Sequence, residues 1–195
     1  MIPILTSRRL RLRPWIVEDD AAAFEVYSHT EVASWLSPAM DAVRDRHEMR
    51  LVLQHWVAEN HRSPNPTGRW AIELTEQNRV IGGMTLLYLP PGRMDLEIGW
   101  QLAPAYWGHG YASEAGHALA HWAFESPGVD EVFAVVRPAN ARGAATAQRI
   151  GMEWVGETDK YYDLQLQVYR VRPADLDRPL ADQQYGADQH QPPFR

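Results

Sequence analysis

Two glycines, Gly108 and Gly110, sit between an alternating apolar pattern and a helical one, with Trp107, His109, Tyr111 and Ala112 around them. At a strand, loop, helix junction the first backbone N–H groups of the helix lack intrahelical acceptors, and the helix dipole adds about half a positive charge. A phosphate or pyrophosphate is the ligand this suits. Glycine allows positive φ and puts no Cβ between the main chain and an anion. A Gly-x-Gly also serves as a plain tight turn, so its surroundings must choose between the two. The Walker lysine motif and the longer dinucleotide glycine pattern are both absent, which argues against an unrelated nucleotide-binding enzyme. His117 and His121 have the i, i+4 spacing of metal ligands. No Glu of a zinc-protease motif lies between them and no third ligand is evident, so no metal is expected. The absence of cysteine removes a thiolate nucleophile, thiolate metal sites and a disulfide framework, and fits a cytoplasmic setting.

The elements that must position this junction follow from periodicity. Residues 9–13 alternate arginine with Leu10 and Leu12, the period of a strand with one buried face, and Pro14 closes it. Asp19 and Asp20 precede a helix over residues 21–27, and residues 44–59 form a second, with Met49, Val52, Leu53 and Trp56 along one stripe. Pro64, Pro66 and Gly68 mark a loop over residues 63–68. Residues 69–74 and 80–89 read as a hairpin around the polar turn 75–79. After a turn at Pro90, Pro91 and Gly92, a third strand spans residues 95–102. In it Leu96, Ile98, Trp100 and Leu102 alternate with Asp95, Glu97, Gly99 and Gln101.

The loop 104–110 leads into a helix over residues 111–124 with Ala115, Leu119, Trp122 and Ala123 on one face. Residues 132–136 are continuously apolar, as in a strand buried on both faces. A helix over residues 140–150 is followed by Gly151 at the favoured position past its end, and residues 153–158 and 164–172 give two more strands. The whole is a mixed α/β (α+β) layout, one sheet with flanking helices, over residues 1–172. Residues 173–195, with four prolines and no periodicity, read as a polar tail that is dispensable for folding, although it could serve a homodimer contact.

At 195 residues one domain with a full core is expected. A net charge of −6 argues against nucleic acid or anionic lipid as a partner, because both call for a dense basic patch. An anionic ligand must then be gripped locally. No stretch approaches the roughly 20 apolar residues of a membrane span, and no signal peptide or membrane anchor is expected.

The stretch from Leu96 to Ala115 closely resembles the coenzyme-binding motif of the GNAT superfamily of N-acetyltransferases, in its ribosomal-protein-alanine acetyltransferase branch. Trp107 is common at its place in that branch, and Gly110 and Ala112 match the two small positions. Asn140, Arg149, Gly151 and Met152 fit a second signature, and residues 8–13 look like the opening strand. The resemblance implies a mostly antiparallel central sheet in which two strands splay apart. Main-chain groups near Gly99, Gln101 and Leu102 would then bond the pantetheine arm of acetyl-CoA. The pyrophosphate would rest on the N–H groups of Gly108, His109, Gly110, Tyr111, Ala112 and Ser113, with Trp107 and Asn140 also at the coenzyme and Arg149 either meeting its adenosine phosphates or standing as a solvated helix charge. Arg142 could meet the adenosine phosphates as well, or stand as a solvated helix charge.

The resemblance further implies direct acetyl transfer to an amine acceptor, a protein N-terminus or a small molecule. The family often places a Tyr, and some of this branch a Ser, to protonate the leaving thiolate; here those places hold Ala147 and Gly143. The general acid is therefore unassigned, and a non-catalytic acyl-CoA-binding sensor or interaction module stays open as the alternative. Glu97, on the strand parity opposite Leu96, Ile98 and Trp100, is the candidate general base, its other reading being a structural carboxylate. The eight tryptophans read first as core and loop packing, and Trp35 and Trp70 are the two that could instead line an acceptor pocket.

Overall fold

Pleated strands bury alternate side chains, and in the computed structural model they do so on both faces of one eight-stranded sheet. The structure describes residues 2–36, 38–63, 65–91 and 94–176. The strands are β1 (Leu5–Thr6), β2 (Leu10–Pro14), β3 (Gly68–Leu74), β4 (Arg79–Tyr88), β5 (Leu96–Leu102), β6 (Val132–Val136), β7 (Glu153–Thr158) and β8 (Leu166–Val171). The helices are α1 (Asp20–Tyr27), α2 (Thr30–Leu36), α3 (Arg46–Arg62), α4 (Tyr111–Phe124), α5 (Ala141–Ile150) and α6 (Pro173–Leu176). The sheet order is β1-β2-β3-β4-β5-β6-β8-β7. Every neighbouring pair is antiparallel except β5 and β6, which meet in parallel at one register pair, Glu97 with Phe133. Beyond that pair the two strands part, and this is the splay that positions the site.

The expected mixed α/β class and the β3–β4 hairpin are found. On one face Leu10, Leu12, Trp70, Ile72, Ile98 and Leu119 join the core under α4 and α5. On the other, Trp15, Tyr27, Met49, Leu53 and Trp56 pack beneath α1 and α3. Glycine sets the spacing between α4 and α5, since a Cβ on Gly116 would come within 2.4 Å of Ile150 Cδ1.

Local chemistry starts and stops the helices. Asp45 caps α3 by accepting from the Glu48 N–H at 2.8 Å, and Asn140 caps α5 by accepting from Gly143 at 2.9 Å. Gly151 ends α5 at φ 106°. The start of α4 differs: its N-cap is Gly110, at φ 77°, and no side chain caps it. That start is tied instead to the first hairpin through Glu114, whose carboxylate accepts from Ser7 Oγ at 2.7 Å and from Arg9 N and Nε at 2.8 and 2.7 Å.

Several expectations are corrected. The short β1 and the helix α2 were not foreseen; of α2 only Val32 is buried, so it carries little apolar period. In β6 only Val132, Ala134 and Val136 are buried, while Phe133 and Val135 are half-buried against a small cluster of Leu89, Tyr161 and Leu166. The tail expected from residue 173 begins with α6, whose Leu176 is buried in the main core. Residues 177–195 of that tail, Pro64 of the expected loop and Gly92 of the expected turn lie outside the described residues. Among the described residues no helix is long and apolar enough to cross a membrane.

Candidate active site

The loop before α4 is held by its own side chains. The Trp107 indole donates to the Leu102 carbonyl at 2.9 Å, pinning the loop to the end of β5. Gly108 and Gly110 both take positive φ, 79° and 77°. His109 Nδ1 lies 2.8 Å from the Trp107 carbonyl, its ring stacks on Tyr111 at 5.5 Å, and the Arg9 guanidinium stands 4.5 Å from the Tyr111 ring centre. A Cβ on Gly108 would meet nothing within 4 Å. With no side-chain cap, the first-turn N–H groups of α4 are left without a side-chain acceptor beside the open space at Gly108. An anionic group fits this loop.

A cavity of ≈ 960 Å³ runs along it, and all eleven residues expected at the coenzyme line that cavity: Gln101, Leu102, each residue from Trp107 to Ser113, Asn140 and Arg149. Their side chains differ in what they can give. Trp107 spends its N–H on Leu102, Asn140 spends Oδ1 on the α5 cap, and Leu102 is buried, so it offers only backbone. Arg142 lies over the Trp107 ring at 4.4 Å and 3.9 Å from Glu31, at the cavity mouth and largely exposed to solvent.

A second cleft of ≈ 360 Å³ opens at the splay and shares Trp35, Leu36, Trp100, Gln101, Asn140 and Gly143 with the first. Glu97 lies in it. Its Oε2 accepts from the Tyr162 hydroxyl at 3.3 Å, and the Val135 backbone N–H also donates to the carboxyl. Burial pushes the Glu97 carboxyl up to about 7, against these two bonds, which pull it down. Burial and the neighbouring Glu97 push the Tyr162 hydroxyl up. Tyr162 and Asp163 take φ of 59° and 54°, a turn that lifts the phenol into the cleft. The preceding residues brace this turn: Lys160 Nζ lies 2.7 Å from Asp95, and Tyr161 donates to the same carboxylate.

Sequence periodicity offered no signal for Tyr162, which lies in a turn, or for Tyr27, whose hydroxyl donates to Gln101 Oε1 at 3.2 Å. Nor did it single out Arg69. Trp35 lines both cavities, but Trp70 lines neither. It is fully buried on the opposite face, its Nε1 donating to the Pro3 carbonyl at 2.9 Å and its ring edge-on to Trp122, because strand parity puts it in the main core. Ala147 is fully buried and Gly143 lines both cavities without a side chain, so neither place holds an acid. His117 Nε2 lies 3.2 Å from the Leu176 carbonyl, and among the described residues no group of three or more His, Asp or Glu is gathered for a metal.

The family model for the acetyltransferase (GNAT) domain matches residues 9–153. The uncharacterized N-acetyltransferase YoaA of Bacillus subtilis is 26% identical over 161 residues, 83% of this chain and 89% of its own length. An acetyltransferase structure from Agrobacterium tumefaciens superposes with a TM-score of 0.70 at 29% identity, covering 88% of this chain and 95% of that one. RimL, a ribosomal alpha-N-protein acetyltransferase solved with coenzyme A, shares the fold at 19% identity and a TM-score of 0.70, over 87% of this chain and 98% of its own.

Proposed function

The chain belongs to the GNAT acetyltransferase family, and from that premise we propose that it moves an acetyl group from acetyl-CoA directly to an amine, with Glu97 as the base. The observation that carries this reading is the meeting of the two cavities at Trp100 and Gln101, with Glu97 on the same strand in the smaller one. The larger cavity takes the coenzyme: open N–H groups of the α4 start hold the pyrophosphate, the unpaired stretch of β5 offers its edge to the pantetheine arm, and Arg149 adds a positive charge. When bound, acetyl-CoA supplies an electrophilic thioester carbonyl and a thiolate leaving group.

The amine enters the smaller cleft. A carboxyl near 7 is half ionised at neutral pH, which suits a base that must take a proton from an amine and release it again. An α-amine of pKa about 8 needs only about 1.4 kcal/mol for deprotonation at pH 7, a lysine about 4.6 kcal/mol. Glu97 takes the amine proton while nitrogen bonds to the acetyl carbon and the carbon–sulfur bond breaks. The departing thiolate, with a pKa of about 8.5 by analogy with cysteine, needs no obligatory acid, which accommodates Ala147 and Gly143. The same two residues favour a second reading, a GNAT domain that binds acyl-CoA without catalysis.

Thiol release from acetyl-CoA, followed against a panel of amines, separates the two. Glu97→Gln should lower kcat/KM by about 100-fold at pH 7 while coenzyme affinity by calorimetry stays at the wild-type value. Wild-type kcat/KM in the variant removes Glu97 as the base. Coenzyme binding without thiol release from any amine favours the non-catalytic reading.

A further inference from the structure

Glu97 is not the only charged side chain in the smaller cleft. Arg69 on β3 is the register partner of Thr85 on β4, and Thr85 is the partner of Gly99 on β5. The three form one row across the sheet, and Glu97 stands two residues along β5 on the same face. Adjacent strands lie about 4.8 Å apart, so Arg69 and Gly99 are about 10 Å apart at the backbone, a gap the long arginine side chain largely spans. The floor between them is low, since a Cβ on Gly99 would come within 2.6 Å of Thr85 Oγ1.

Arg69 is aimed by its surroundings. Asn60 clasps its backbone, donating to the carbonyl and accepting from the N–H, both at 2.9 Å. Its Nε donates to Glu59 at 3.3 Å and its guanidinium lies 5.3 Å from the Trp56 ring centre. Its two terminal nitrogens make no hydrogen bond to the described residues, and the side chain is only 23% exposed. Among the described residues the charged groups lining this cleft are Glu97, Arg69 and Arg137, the last reaching the Ser34 carbonyl at 3.4 Å. Arg69 is shared between Glu59, which takes its Nε, and the cleft, toward which its terminal nitrogens are left to offer hydrogen bonds. The volume of ≈ 360 Å³ and the walls of Tyr27, Trp35, Trp56 and Tyr162 are those of a small-molecule site.

We propose that the acceptor is a small amine that also carries a carboxylate, the Arg69 guanidinium binding the carboxylate while the amine nitrogen is presented to Glu97. The proposal rests on the acetyl-transfer reading above. The planar guanidinium fork matches a carboxylate in two hydrogen bonds. An acceptor without a carboxylate leaves the two terminal nitrogens of this half-buried cation without an acceptor beyond the Glu59 pair at Nε, and a polycation is repelled by it, so the residue selects as well as binds. The transfer balances as before: nitrogen–carbon bond formed, carbon–sulfur bond broken, amine proton to Glu97, carboxylate unchanged.

The test measures thiol release from acetyl-CoA with free L-amino acids, each paired with its carboxamide, alongside polyamines and a short peptide. The carboxamides have the more readily deprotonated amine, which biases the comparison against the proposal. At least one amino acid should exceed its carboxamide in kcat/KM by about 10- to 100-fold, the worth of one charge-assisted contact. Arg69→Gln should erase that ratio by lowering the amino-acid rate alone, with acetyl-CoA affinity unchanged as the check on folding. Arg69→Lys should restore part of it, and Glu59→Gln, which removes the competing carboxylate, should lower KM for the amino acid. Thiol release only from amines lacking a carboxylate, or an equal loss for both partners of a pair in Arg69→Gln, overturns the proposal and leaves acetyl transfer standing. Silence with every amine despite acetyl-CoA binding sinks acetyl transfer, and this inference with it.

Discussion

A carboxyl held near 7 in a cleft is poised between two roles, and at Glu97 the partners decide which. Burial raises it, while the hydroxyl of Tyr162 and the N–H of Val135 stabilise the ionised form. A base acts when deprotonated, so kcat/KM for an amine should rise with pH through a limb near 7. Tyr162→Phe removes a bond that favours the carboxylate, so the limb should move to higher pH with little change in coenzyme affinity. A pH–rate profile of the variant checks this, and an unmoved limb means that Tyr162 does not touch the working carboxylate. Glu97 itself was legible, because strand parity puts it opposite Leu96 and Ile98. Tyr162 was not, because it reaches the cleft from a turn at φ 59°, where no periodicity exists to read.

At the scale of elements, the junction between β5 and α4 is where the proposed coenzyme site sits, and its geometry was readable for a physical reason. Two glycines at positive φ are conspicuous in sequence because other residues avoid that conformation. Gly108 can be tested without a steric clash in the protein, since its Cβ would enter open space. Gly108→Ala should therefore destabilise the fold only by the left-handed conformation, about 1–2 kcal/mol, or a few degrees in Tm. Acetyl-CoA affinity should fall by more than that unfolding accounts for, because the new methyl occupies the space beside the open N–H groups. Gly128 is the control, with φ 82° and nothing within 4 Å of its Cβ. Gly128→Ala should lower Tm similarly and leave calorimetric affinity unchanged; equal affinity in both variants would make the loop at Gly108 a mere turn. The helix α2 escaped the sequence for the opposite reason, since a seven-residue helix with one buried side chain shows no stripe.

For the molecule as a whole, one sheet divides two layers, and the splay brings a cavity from the α4–α5 side into contact with a cleft on the α1–α3 side. α4 and α5 must hold still for that, and α6 packs against the middle of α4 and the end of α5. Leu176 is buried in the main core, its carbonyl lies 3.2 Å from His117 Nε2 on α4, and it lies against Gly151 at the end of α5. A boundary at residue 172 was natural in sequence, where proline 173 opens an aperiodic stretch, but a single apolar contact needs no period. Deleting residues 173–195 should therefore remove about 1.5–3 kcal/mol of leucine burial, and lower Tm by roughly 3–12 °C for a domain of this size. Deleting residues 177–195 alone tests the expectation that this stretch is dispensable, with Tm and acetyl-CoA affinity both held at the full-length values. Thermal melts with and without acetyl-CoA distinguish the cases. An equal fall in the two truncations would place the stabilising contact beyond Leu176, and no fall in either would show that α6 contributes nothing to holding α4 and α5.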